Sequence, residues 1–183
     1  MDGTLIEPLL DFSAIRAELE MPPGAGIIEA IEVMPPDRRR HADGLLLERE
    51  LSAARRAKLM PNAGEIIQRV RKAGLKTAML TRNAREAMEL VLDRFPALQF
   101  DLAWSREQGP IKPEPDGILR ACRALGVEPA ATACVGDFHY DIIAANAAGA
   151  VSILLAPGEN PDFAEEADYV IRDLKDLIGL LGI

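Results

Sequence analysis

From residue 60 onward the chain alternates between two kinds of segment, and nothing else in it restricts the fold as much. Residues 61–73 (PNAGEIIQRVRKA) place apolar side chains at helical spacing and stop at Gly74, a residue that favours helix ends. Residues 75–81 (LKTAMLT) form a short apolar run that turns polar at its end, the pattern of a buried strand. Residues 83–95 are again helical, with Asn83 a good N-cap, and residues 100–104 (FDLAW) suit a strand. The pattern continues with a helix over 115–125 closed by Gly126, a strand at 132–135 (TACV), a helix over 141–148 closed by Gly149, and a strand at 150–155. A short strand at 169–171 and a C-terminal helix complete it. Strands separated by helices imply parallel βαβ units with helices on both faces, an α/β doubly wound sheet of Rossmann-like type.

Residues 9–59 break the pattern. MPPG at 21–24 and MPP at 34–36 cut the chain into short helical pieces. The stretch 37–60 is rich in Leu, Ala, Glu and Arg, with Leu47, Leu51 and Ala54 at helical spacing. We read 9–59 as a small all-helical insert, with the α/β core formed by 1–8 and 60–183.

In such sheets ligands bind beyond the carboxyl ends of the strands, so the residues placed there matter most. They are Asp2-Gly3-Thr4, then Thr81-Arg82-Asn83, then Lys112 in GPIKPEPD, then Gly136-Asp137 with Asp141 four residues on. Singly, each has a plain structural reading. Asp-Gly is a common turn pair, Thr81 with Asn83 suits a helix cap, Lys112 suits a loop, and acidic residues favour helix starts. Together they form one chemical inventory. Asp137 and Asp141, spaced i,i+4, are expected on one face of a helix start. With Asp2 they make an oxygen-rich set suited to Mg²⁺, which takes carboxylates, waters and substrate phosphate. Thr81 adds a hydroxyl before a helix N-terminus, a ready anion site, and Lys112 adds positive charge for a transferring phosphoryl group.

The order D-G-T-L, L-T-R-N, K-P-E-P and G-D-x-x-x-D resembles the haloacid dehalogenase superfamily of phosphatases, and the helical insert resembles the small cap of its phosphoglycolate phosphatase-like branch. The resemblance spans Asp2 to Asp141. It implies that Asp2 is the general acid/base, with its backbone carbonyl on Mg²⁺. It gives Thr81 the phosphoryl group, helped by the backbone after it, and makes Gly3, Thr4, Arg82 and Asn83 substrate-binding residues. Lys112 would stabilise developing charge, Asp137 would ligate Mg²⁺ directly, and Asp141 would support it through water. An Asp at position 2 favours phosphoryl transfer over carbon–halogen cleavage, because the dehalogenases lack it. The family's first motif is D-x-D-G-T, whose leading Asp becomes phosphorylated. That nucleophile falls one position before Met1, so the expectation is a natural chain that begins upstream, with Met1 as the x of the motif. The chain as written would then be unable to form the phospho-enzyme.

Arg16, Arg38, Arg39 and Arg40 on the insert are candidates for gripping a second anionic group, although helix arginines are usually solvated. His139 and Tyr140 lie between the last two aspartates and are expected at the site's rim. Two other functions stay open: a phosphomutase of the same superfamily, and a domain that binds Mg²⁺ or phosphate without turnover. The resemblance implies a small phosphorylated metabolite as partner, and composition argues against others. With 21 Lys and Arg against 29 Asp and Glu the net charge is −8, unfavourable for nucleic acid. No apolar run approaches the ~20 residues of a membrane span, and no signal peptide is visible. Cys122 and Cys134 lack metal-ligand spacing. The expectation is a cytoplasmic monomer or dimer.

Overall fold

The computed structural model describes residues 1–183. Its strands are β1 (Ala78–Leu80), β2 (Leu102–Trp104), β3 (Ala133–Gly136), β4 (Val151–Leu155) and β5 (Tyr169–Ile171). Its helices are α1 (Phe12–Glu18), α2 (Ile27–Glu32), α3 (Pro36–Arg56), α4 (Ala63–Lys72), α5 (Arg85–Arg94), α6 (Asp116–Leu125), α7 (His139–Ala148) and α8 (Leu177–Leu181). Every strand pairing is parallel, and α5 and α7 are the crossovers of β1-α5-β2 and β3-α7-β4.

The two-residue period of β4 explains how the layers meet. Ile153 and Leu155 join the largest buried cluster, with Ile66 of α4 and Ala87, Met88 and Val91 of α5. Leu154 points the other way, against Ile142 of α7. A further cluster joins Ile118 and Cys122 of α6 to Ala144, Ala145 and Ala148 of α7. Helices therefore cover both faces.

The pairing runs β1-β2 in one piece and β3-β4-β5 in another, rather than as one continuous sheet. β1 and β3 each have a ladder partner on one side only. Their residues are less covered than those of a central strand: Ala78 and Ala133 are exposed and Val135 half-buried, whereas four of the five β4 residues are buried. The carboxyl ends of β1 and β3 are linked by one side chain. Lys112 Nζ donates to the Leu80 carbonyl at 3.0 Å and to Asp141 Oδ1 at 2.6 Å.

The helical insert has a core of its own, with Ile15, Leu19, Met21, Ile27, Ile31, Ala42 and Leu46. Its two connections to the α/β core run side by side: Glu7 N–H donates to the Lys58 carbonyl at 2.9 Å and Met60 N–H to the Leu5 carbonyl at 2.9 Å. The long helix α3 belongs to both parts, because Ala54, near its end, packs in the largest cluster. No helix is long and apolar enough to cross a membrane.

Candidate active site

Three cross-chain hydrogen bonds assemble the loops at the strand ends. Thr4 Oγ1 donates to Asp137 Oδ1 at 2.7 Å, Asn83 Nδ2 donates to Asp2 Oδ2 at 2.8 Å, and Lys112 Nζ reaches Asp141 as described. Segments 133 and 81 residues apart are thereby brought to one place. The first loop is a tight turn in which the Leu5 N–H donates to the Met1 carbonyl at 2.8 Å. Gly3 sits in the left-handed region at φ +71°, and a Cβ there would run into the Asp137 carboxylate. A Cβ on Gly136 would likewise collide with the Asp141 carboxylate. Both glycines thus leave room for an aspartate of this site.

The second loop differs from its sequence reading. Asn83 is not the N-cap of α5, whose cap residue is Ala84 in an extended conformation. Thr81 Oγ1 accepts the Asn83 N–H at 3.2 Å, and the buried Glu50 accepts the Ala84 N–H at 3.0 Å. Those two bonds hold the chain extended past Asn83, and its amide is left to reach Asp2 instead. Thr81 and Asn83 are both buried.

Asp137 and Asp141 do not share a helix face as their spacing suggested. α7 begins at His139, so Asp137 precedes it, while Asp141 is its third residue and accepts the Phe138 N–H at 3.1 Å. The two carboxylates are in different electrostatic states. Burial pushes Asp137 above the usual carboxylate range, only partly offset by the Thr4 hydroxyl. Burial also pushes Asp141 upward, but the Lys112 charge and hydrogen bond, with the backbone donor of Phe138, bring it net below its ordinary value.

No group of three His, Cys, Asp or Glu side chains is placed to hold a metal by itself. Mg²⁺ does not require one, since it binds through one or two carboxylates plus waters and substrate phosphate. Asp137 and Asp141, two partly buried carboxylates beside the Asp2 loop, meet that smaller demand.

Arg82 and Tyr140 also belong to the site. The Arg82 guanidinium donates to the Lys112 carbonyl, lies 4.9 Å from the Tyr140 ring centroid, and bonds Glu29 of α2 at 2.7 and 3.0 Å. His139 is directed elsewhere: it stacks on Phe163 and its Nε2 lies 2.8 Å from Glu166. The insert arginines bond within the insert, Arg16 to Ser13, Arg38 to Glu20, Arg39 to Asp43 and Arg40 to Asp37.

Three participants were not anticipated. Glu50 is 3% exposed and accepts from Arg106 Nη1 at 2.5 Å, while that guanidinium also donates to the Arg82 carbonyl at 3.2 Å. Burial raises Glu50 above the ordinary glutamate value despite Arg106. A signal for it was present, because Ala42, Leu46, Glu50, Ala54 and Ala57 continue one buried stripe. Arg106 and Glu29 had none.

Comparison with known proteins places these features in a family. The profile of haloacid dehalogenase-like hydrolases matches residues 1–149. A haloacid dehalogenase-like hydrolase domain-containing protein of Arabidopsis thaliana is 31% identical over 95% of this chain and 80% of its own length. A phosphoglycolate phosphatase of Haemophilus influenzae is 30% identical over 68% of this chain and 58% of its own length. The crystal structure of a hydrolase from Pseudomonas syringae superposes with a TM-score of 0.81 at 20% identity, covering 99% of this chain and 94% of that one.

Proposed function

Because the chain belongs to the haloacid dehalogenase-like hydrolases, we propose that it is a Mg²⁺-dependent phosphomonoester hydrolase acting on a small phosphorylated metabolite in the cytoplasm. The observation that carries this reading is the three-bond junction of Thr4–Asp137, Asn83–Asp2 and Lys112–Asp141. It gathers an acid/base carboxylate, a hydroxyl loop, a fixed cation and two further carboxylates at one end of the sheet. The relative named as a phosphoglycolate phosphatase supports the same substrate class.

In this reading Thr81 and the backbone N–H groups after it hold the phosphoryl oxygens. Lys112 offsets the charge that develops on them, from a position fixed by Leu80 and Asp141. The family's carboxylate nucleophile forms the new bond to phosphorus as the ester oxygen leaves with a proton from Asp2. Asp2 then takes a proton from the water that releases phosphate. Asp137, Asp141 and the Asp2 carbonyl would hold Mg²⁺, which when bound neutralises phosphate charge.

The test is hydrolysis of p-nitrophenyl phosphate with Mg²⁺, on residues 1–183 and on a chain extended by an Asp-bearing strand. The extended chain should turn over substrate, with activity lost in Asp137→Ala. An inactive extended chain whose phosphate binding is indifferent to Asp137→Ala would refute the reading.

A further inference from the structure

Three cations surround the site, and they differ in how firmly they are engaged. Lys112 is bonded to Asp141 in a pair that is 18% and 15% exposed. Arg106 is bonded to Glu50, which is 3% exposed. Arg82 is bonded to Glu29, whose side chain is 46% exposed. Only the last carboxylate can return to water with little loss, because half-exposed ion pairs hold little free energy.

Arg82 is nevertheless built as a receptor. Its backbone carbonyl is held by Arg106, one Nη is fixed on the Lys112 carbonyl, and its Cζ lies over the Tyr140 ring. The other Nη takes both oxygens of Glu29. A guanidinium held in this way offers charge-assisted N–H donors that suit a carboxylate or phosphate oxygen. It also follows Thr81 directly and touches Lys112, the two residues assigned to the phosphoryl group.

We propose that Arg82 is the subsite for a second anionic group of the substrate, and that Glu29 occupies it until substrate arrives. The inference rests on the phosphatase reading and sharpens it. The substrate is a short phosphorylated compound with a carboxylate or second phosphoryl group a few bonds from the phosphorus. The insert contributes Glu29 as an internal competitor, so neutral-tailed phosphate esters leave the Glu29–Arg82 pair intact.

Calorimetric titration of the full chain in Mg²⁺ tests this, using ethyl phosphate, phosphoglycolate and pyrophosphate. An anionic tail should tighten binding roughly tenfold over ethyl phosphate, the effect of one added charge-assisted contact. The better of phosphoglycolate and pyrophosphate distinguishes a carboxylate from a phosphoryl tail. Arg82→Gln should bring the ratio to about one, Arg82→Lys should retain part of it, and Glu29→Gln should widen it by roughly another tenfold. Circular dichroism would verify that each variant is folded. Equal affinity for all three ligands, a ratio untouched by Arg82→Gln, or a narrower ratio in Glu29→Gln would overturn the proposal. If ethyl phosphate binds without discrimination, only this proposal fails; if no ligand binds, the phosphatase reading fails with it.

Discussion

Replacing Glu50 by Ala tests how the helical insert is fastened to the phosphate loop. The side chain accepts from Arg106 and from the Ala84 N–H, in a position 3% exposed. Removing one partner of a buried ion pair costs ~3–5 kcal/mol, because the other charge is left uncompensated. Arg106 is itself 17% exposed and can turn toward Glu107, 3.8 Å away, which favours the lower end. The Ala84 N–H also loses its acceptor, at ~1 kcal/mol or more. The expected total is about 4 kcal/mol, or roughly 8–16 °C in melting temperature for a chain of this size. Glu50→Met with Arg106→Met should recover most of it, since an apolar pair avoids desolvating two charges. pH supplies a second readout. Glu50 in the fold lies above its ordinary value, so the native state holds the proton more tightly than the unfolded chain. Its contribution is full below the ordinary glutamate pKa of ~4.3 and is lost as pH rises through the native value. Wild type should therefore exceed Glu50→Gln by more at pH 4 than at pH 7. Urea unfolding at both pH values measures all of this. A Glu50→Ala loss under ~1 kcal/mol, or additive single variants, would refute the reasoning.

Three other outcomes follow from the same geometry. Lys112→Met leaves the Asp141 carboxylate unpaired and should cost ~3 kcal/mol at pH 7. Asp141 is held below its ordinary value, so its contribution is present above pH ~4 and is lost as pH falls through the native value. Urea midpoints of Lys112→Met and wild type should therefore converge in acid. Gly3→Ala combines left-handed strain of ~1–2 kcal/mol with a collision against Asp137, and thermal melts should show a loss of at least that size. Burial pushes the Cys134 thiol up to about 12, so roughly one molecule in ten thousand is thiolate at pH 8. Mass spectrometry after iodoacetamide treatment should find Cys134 unmodified in the native protein and labelled in urea.

The order of helices and strands was legible because it depends on local pattern. α6 and α7 end at Gly126 and Gly149 as read, and β5 occupies the residues expected. Errors cluster where a distant side chain takes over a backbone group. Asn83 has the chemistry of a helix cap, but Glu50 claims the Ala84 N–H from 34 residues away, and the helix starts later. The i,i+4 spacing of Asp137 and Asp141 holds only inside a helix, and the bond from Thr4 to Asp137 crosses 133 residues. His139 was placed near the site by proximity in sequence, yet Glu166 draws it away. Local spacing names the chemical groups; which of them meet is decided by long-range bonds that no window contains.

The contrast between Glu50 and Glu29 also indicates which part of the insert moves first. α3 is anchored in the α/β core by Ala54 near its end, and Glu50 sits a turn earlier in a buried pair whose separation would leave both charges uncompensated. α1, α2 and the first half of α3 share a separate cluster, tied to the site loop by Glu29–Arg82, a half-exposed pair worth ~0–1 kcal/mol. Opening should therefore break Glu29–Arg82 and leave Glu50–Arg106 intact, with the last turns of α3 acting as part of the core. Native-state hydrogen exchange follows from those energies: α2 amides should exchange well before those around Ala53 and Ala54. Equal protection along α2 and α3 would show that the insert and the core open as one unit.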